Sequence, residues 1–469
     1  MSLRELLVVS ALALVSCGTV GEDYERPDIQ SADMKAWNGR LDGVITEADL
    51  DPAVIAEWWK ALDDPLLTSL IERATASNLD LRIADAQMRQ ARAQREVADS
   101  QGVPNLGARA GVDRSGAGGQ TGDFYSLGLD ASWEIDLFGQ DDRAVEAAVA
   151  DQEASREARR DVLVSVLAEV ALNYVELRTT QARLELMGRN IDALEQTAKI
   201  VEAKAAAGEV SRVEVDQAAA NLARTRSQVP AFEQQLQQIK NRLALLLGSA
   251  PGTLDDELDP VEPLVVPPLS VAVGVPAEVL RRRPDVRRSE RVLAAETARL
   301  GVAVGDLYPT FSLGGTIGLE SVSTSTLFDM ASGIFGLGPR LQWNLFDGGR
   351  TRARIEAQDA VQEQALISYE RTLLVALEDV ENAISAFAQE QLRHHSLAEA
   401  MEAAARAEDL ARTRFEAGGA PFLVVLDAQR TKLSAQDELA QSDGVITANL
   451  VRLYKALGGG WDPEDPNSE

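Results

Sequence analysis

The stretch Gly336-Leu337-Gly338-Pro339-Arg340-Leu341-Gln342-Trp343-Asn344-Leu345-Phe346 runs into Asp347-Gly348-Gly349, and no Gly or Pro follows from Arg350 to Ala417. It decides the fold because it is written twice. At 210 positions upstream stands Ser126-Leu127-Gly128-Leu129-Asp130-Ala131-Ser132-Trp133-Glu134-Ile135-Asp136-Leu137-Phe138-Gly139, followed by residues 140–207 interrupted only by Gly188. Alternation of apolar with polar or tiny residues is a strand pattern, and a long run free of Gly and Pro is a helix. Each copy therefore joins a short strand to a very long helix.

Upstream of each copy lies a second alternating run. Leu106, Ala108, Ala110 and Val112 alternate with Gly107, Arg109, Gly111 and Asp113, and the Gly-rich segment 115–122 turns the chain into Tyr125, Leu127, Leu129, Ala131, Trp133 and Ile135. In the second copy Phe311, Leu313, Gly315, Ile317 and Leu319 alternate with Ser312, Gly314, Thr316, Gly318 and Glu320. At roughly ten residues each, these strands have the length of a transmembrane β-strand, apolar face to lipid and polar face to a lumen. A soluble sandwich strand alternates in the same way, so the first hairpin alone leaves both readings open. Trp133 and Trp343, at the strand ends, suit the headgroup level of a membrane interface.

The long helices carry a heptad seam. Leu163, Leu167, Val170, Tyr174 and Leu177 match Leu373, Leu377, Val380, Ile384 and Phe387 at the 210-residue offset, all apolar and at coiled-coil spacing. A helix of that length reaches on the order of 100 Å. Gly208 ends the first helix, and a return helix is expected from about Arg212 to Gly248 with a kink at Pro230. Asp64-Pro65 is a helix start, with Asp as N-cap and Pro at the first position, and predicts one helix through to Gln101. The Pro-rich segment 249–277 reads as a linker that forms neither helix nor sheet. Asp80 to Asp285 and Pro104 to Pro309 are 205 apart, whereas Trp133 to Trp343, Gly208 to Gly418 and Gly248 to Gly458 are 210 apart. The five extra residues fall in the second hairpin, where an insertion is tolerated.

Composition narrows the function. Only 5% of residues are aromatic, and the net charge of −28 opposes nucleic-acid binding, which needs a basic face. Residues 1–16 read as a signal peptide, with Arg4, an apolar core and a small-residue cleavage site before Cys17, the single Cys. No later stretch is apolar enough to span as a helix, so any membrane crossing falls to strands. Two hairpins give four strands, too few for a barrel, and an open edge in lipid leaves backbone groups unsatisfied at several kcal/mol each. Strands in a membrane therefore require an oligomer, and three copies supply twelve.

Cys17 with Val20-Gly21-x-Asp23-Tyr24-x-x-Pro27, Trp58-Trp59 with Asp64-Pro65-Leu66, Arg283-Pro284-Asp285-Val286, Leu307-Tyr308-Pro309, Leu426-Asp427-Ala428-Gln429-Arg430 and Leu457-Gly458-Gly459-Gly460-Trp461 together resemble the outer-membrane factor family, close to its NodT-type lipoprotein branch. The likeness covers essentially the whole mature chain, with Glu22 where a Pro is common. It implies a mixed α and β fold. Long antiparallel coiled-coil helices would form a periplasmic α-barrel, and two β-hairpins per chain would contribute to a 12-stranded transmembrane β-barrel of a homotrimer. It also implies lipidation at Cys17 in the outer membrane of a Gram-negative bacterium, no cofactor and no bond chemistry. The expected partners are a periplasmic adaptor and an inner-membrane transporter of the resistance-nodulation-division class. The chain divides accordingly into signal peptide (1–16), anchored extended segment (17–63), first repeat (64–248), linker (249–277), second repeat (278–458) and tail (459–469).

The resemblance assigns Leu423, Asp427 and Arg430, which share one helix face, to the constricted periplasmic entrance, Leu423 as an apolar ring and the charges as contacts that hold it shut. The plain alternative is an ordinary ion pair worth about 0–1 kcal/mol. The first copy has Val213, Gln217 and Ala220 there, so the second helix pair is expected to move on opening. The helix tips, with Gly208 and Ser211 in one and Gly418, Gly419 and Ala420 in the other, are the expected adaptor docking points, where Gly also serves as C-cap. His394-His395 point about 100° apart on a helix and are expected on a solvated face, not on a metal. The leading reading is a passive exit duct for drugs or other small molecules. A protein-secretion channel and a coiled-coil scaffold without a pore are the alternatives.

Overall fold

A computed structural model describes residues 19–28, 37, 45–46, 52–117, 120–264, 271–272 and 276–461. Cys17 and the signal peptide lie outside the described residues, as does the tail beyond Trp461. The chain forms two compact units. One gathers the described residues of Met1–Asp28, Ala86–Glu157 and Arg287–Arg371; the other gathers those of Ile29–Asp85, Ala158–Val286 and Thr372–Glu469. Each unit takes segments from both sequence repeats.

The first unit holds a four-stranded antiparallel sheet in chain order, β1 (Asn105–Ala117), β2 (Gln120–Ile135), β3 (Thr310–Ser321) and β4 (Gly333–Gln342). The two hairpins meet along β2 and β3, from Tyr125 opposite Ser321 to Ile135 opposite Phe311. Register aligns the apolar set into rows: Ala108, Leu129, Ile317 and Phe335 form one, and Ile135, Phe311 and Leu341 another. The facing rows are small or polar, as in Gly107, Asp130, Thr316 and Gly336. The apolar face ends at an Arg114–Asp123 pair 3.5 Å apart. From Asp123 to Trp133 the strand climbs about 33 Å, or about 25 Å once tilted, the height of an outer-membrane apolar band. β1 and β4 have no partner on their outer sides among the described strands. The strands differ in length from the expectation, and β4 ends at Gln342, so Trp343 and Leu345 lie past it. The extra residues of the second hairpin form the connection 322–332, which includes a turn of 3-10 helix.

Both long helices are continuous, α3 at Gln140–Ala206 and α7 at Arg350–Glu416, each 67 residues. An Asp opens each. Asp136 accepts from the backbone N–H groups of Gly139 and Gln140 through Oδ1 and of Asp141 and Asp142 through Oδ2, and Asp347 accepts from Gly349 and Thr351. These bonds satisfy donors that a helix start leaves unpaired. The Thr351 hydroxyl and backbone hold the Asp347 carboxyl down at about 2. Of the ten seam residues nine are buried, and Leu163 is half-buried.

Two helix expectations are corrected. The helix predicted from Asp64 to Gln101 is two, α1 (Pro65–Ser77) and α2 (Leu79–Asp99). Asn78 breaks it: its Oδ1 accepts from the N–H of Asp80 and Leu81 while its Nδ2 donates to the Leu246 carbonyl. The first return helix is also two pieces, α4 (Arg212–Arg226) and α5 (Val229–Leu246), because Pro230 lacks the N–H that would continue the ladder. The second return helix α8 (Phe422–Ala456) is unbroken. Between them, α6 (Pro284–Gly305) opens the second repeat's half of the first unit. The linker is not devoid of structure, since Asp255–Leu258 makes a helical turn and Val271–Ala272 pairs in parallel with Ile45–Thr46. The segment 17–63, expected to be extended, likewise contains a short helix, Pro52–Ala56, and a 3-10 stretch, Trp58–Leu62.

The distant motifs converge. In the second unit Trp58 stacks on Tyr454 at 5.6 Å, Gly460 donates to the Ile55 carbonyl, and the Arg160 guanidinium lies 4.5 Å over Trp461. In the first, Phe138 stacks on Tyr308 at 4.8 Å. There too the segment 19–28 crosses both repeats as a strap. Val20 pairs with Phe138, and buried Arg143 of α3 donates to the carbonyls of Val20 and Gly21, to Thr19 and to Asp23. Tyr24 packs on Ala150, Ala294 and Ala295, and Arg26 reaches Tyr369 and Glu290.

Candidate functional site

The ends of α3, α4, α7 and α8 meet in one apolar cluster, Val201, Val215, Ala218, Ala411, Phe415, Phe422, Val425 and Leu426. Phe415 and Phe422 are 5.5 Å apart across the second tip, and Lys204 of α3 sits 5.4 Å over the Phe415 ring. The two helix pairs of one chain are thus joined at the tips by a shared core. Both turns close alike. Gly208 and Gly418 have φ of +78° and +74°, and the next residue's N–H reaches back to Lys204 and to Arg414, closing the terminal carbonyls. A Cβ on either Gly would meet nothing within 4 Å. Ser211 starts α4 with a capping box, its N–H held by Glu214; Pro421 starts α8 without a side-chain cap. Gly208, Ser211, Gly418 and Gly419 are exposed and Ala420 is half-buried.

On α8 the three expected gate residues all stand on the exposed face, Leu423 at 60% exposure beside exposed Asp427 and Arg430. The two charges do not pair with one another. Arg430 Nε donates to Asn221 Oδ1 of α4 at 3.3 Å, and the Asp427 carboxylate has no hydrogen-bond or ion-pair partner among the described residues. The intrahelical ion pair is therefore not formed, and an exposed carboxylate stands beside an exposed Leu. Further ties bind α8 to the first repeat. Gln429 donates to Thr197, and Arg183 forks onto Asp437 at 2.7 and 2.9 Å while lying 4.9 Å over the Phe232 ring. The sequence hints at this fork only as one Arg and one Asp among many; the pairing is tertiary.

His394 is not on a fully solvated face. Its Nε2 lies 2.7 Å from Asp443 Oδ1 and links α7 to α8, whereas His395 is exposed 3.5 Å from Glu399 of its own helix. The indole N–H of Trp133 donates to the Gly102 carbonyl and that of Trp343 to Leu307, each at 3.0 Å. Both Trp rings therefore fasten a strand end to the entry of its hairpin. Among the described residues no helix is long and apolar enough to cross a membrane.

Comparison with known proteins completes the picture. The profile described as "Outer membrane efflux protein" matches residues 70–249 and 275–459. The chain is 32% identical to the pyoverdine export outer membrane protein OpmQ of Pseudomonas aeruginosa, over 99% of this chain and 98% of that one. It is 32% identical to the outer membrane protein OprJ of the same organism, over 96% and 95%. The solved outer-membrane channel OprN superposes with a TM-score of 0.88 at 35% identity, covering 95% of this chain and 100% of that one. The open state of the MtrE outer membrane channel of Neisseria gonorrhoeae gives 0.82 at 28%, covering 95% and 99%.

Proposed function

Because the chain belongs to the outer membrane efflux protein family, we propose that its α8 face is the periplasmic gate and its two helix tips the adaptor docking points of the duct. The protein is an outer-membrane efflux channel, and members of the family work as trimers with adaptor proteins and inner-membrane pumps. The observation that carries the trimer for this chain is its sheet: four strands with an unpaired edge on each side and one apolar face, which lipid tolerates only once copies close the ring. The partners proposed are a periplasmic adaptor and an inner-membrane transporter of the resistance-nodulation-division class, which supplies the energy. Cys17 is proposed as the lipid anchor.

Relatives carry names as different as pyoverdine export, cation efflux and toluene efflux. Such breadth on one fold supports a duct that conducts small molecules selected by its transporter. Gating rests on the free carboxylate: three copies of Asp427 beside Leu423 narrow the entrance, and Arg430 bound to Asn221 holds α8 against α4. Asp427→Ala/Arg430→Ala trimers in a planar bilayer are expected to conduct more than the parent, and no increase would refute the assignment. A photocrosslinker at Ser211 or Ala420 is expected to capture the adaptor. Capture only from mid-helix positions would move the docking site elsewhere.

A further inference from the structure

Strand register brings one guanidinium and two carboxylates together on the polar face of the sheet. Arg109 of β1 stands directly opposite Gly128 of β2, and Gly128 opposite Gly318 of β3. The two glycines lie too close for side chains: a Cβ on Gly318 would fall 2.6 Å from the Leu127 carbonyl oxygen, and one on Gly128 3.0 Å from that of Ile317. Across this bare floor Arg109 reaches past the neighbouring strand. Its Nη1 lies 3.3 Å from Asp130 Oδ1 on β2, and its Nη2 lies 3.7 Å from Glu320 Oε1 on β3. All three side chains keep a third to a half of their surface exposed. On this face, between the rim charges Glu134 and Arg340 and the row of Asp113, the other residues are Gly, Ser and Thr with Asn105 and Ile334.

We infer that Arg109, Asp130 and Glu320 form a charge-selective belt in the lumen of the barrel. The inference rests on the channel reading, in which the polar face looks inward. One guanidinium against two carboxylates leaves one formal negative charge per chain, repeated in every copy around the ring. The small residues around it leave the bore wide, so the belt acts through its field, which reaches about 8 Å at physiological ionic strength. The arginine fork keeps both carboxylates at fixed positions on the wall. Cations are thereby favoured over anions at this level, far in sequence from the entrance residues on α8.

The test is the reversal potential of reconstituted trimers in a potassium chloride gradient, with every variant in an Asp427→Ala background so that the entrance carboxylate does not contribute. Asp130→Asn/Glu320→Gln is expected to lower the potassium-to-chloride permeability ratio, and Arg109→Gln to raise it. Arg109→Lys, which keeps the charge, is expected to hold the parent ratio. A merely structural trio would not give opposite signs. An unchanged ratio in the first two variants, or a shift of both in one direction, overturns the belt while the channel stands. A parent without conductance overturns the channel reading and the belt with it.

Discussion

Arg283 shows how much one side chain can hold in this fold. It is 7% exposed, and its guanidinium is divided among Asp285, Asp379 and the Ala456 carbonyl. Burial alone would pull its pKa down, but the hydrogen bonds and charge of Asp285, followed by those of Asp379, outweigh that and raise it, so it stays charged. Arg283→Ala is expected to cost about 1.5–3 kcal/mol, the range for hydrogen bonds to charged groups, read as a lower urea midpoint of the solubilised protein with unchanged slope. An unchanged midpoint would contradict it. Tyr24 offers a pH test of the strap. Burial, with the Glu290 carboxylate next, pushes its hydroxyl up to about 12. An unfolded Tyr titrates near about 10, so the unfolded chain releases this proton first. The stability it contributes is whole below pH ~10 and is lost as pH rises through ~12. The tyrosinate absorbance difference between parent and Tyr24→Phe should therefore titrate near the higher value; a difference centred on the ordinary one would mean that Tyr24 is not packed.

At the scale of elements, close approach does what long side chains do elsewhere. A Cβ on Gly301 of α6 would lie 3.0 Å from both Arg143 Cγ and the Val20 carbonyl oxygen, with Arg143 Cδ at 3.1 Å. Gly301→Val is expected to lift the strap and open residues 19–28 to protease while the trimer persists; equal protection in parent and variant would show that the strap tolerates the extra bulk. The strand pattern, the caps at Asp64, Gly208 and Gly418 and the seam of α3 and α7 were legible because each is a local signal with its own period or backbone demand. The break at Asn78 was not. An Asn inside an apolar-periodic run is compatible with a continuing helix, and only the distant Leu246 carbonyl gives its amide a reason to stop one. Spacing alone puts Leu423, Asp427 and Arg430 on one face, but the separation into a tethered Arg430 and an unpaired Asp427 depends on Asn221, which lies 209 residues from Arg430. The Arg109 reach was hidden for the same reason, since it depends on which Gly comes opposite.

At the scale of the whole molecule, the sheet demands more than one copy. Four strands, unpaired at both outer edges among the described strands, are too few for a monomeric barrel. With the trimers of the family, native mass measurement of the solubilised protein should give three chains, and heating in detergent should convert a slow trimer band to a faster monomer band. A stable water-soluble monomer would contradict the membrane-embedded sheet. The same edges govern how the protein comes into being. A newly exported chain carries two adhesive rims, each willing to pair with any strand that arrives, its own kind in the wrong register included. Neither rim is satisfied until the third chain closes the ring. Membrane insertion and association are then one event, and its rate climbs steeply with the local density of chains. Scarce chains wait, and crowded ones risk zipping together before they reach the bilayer.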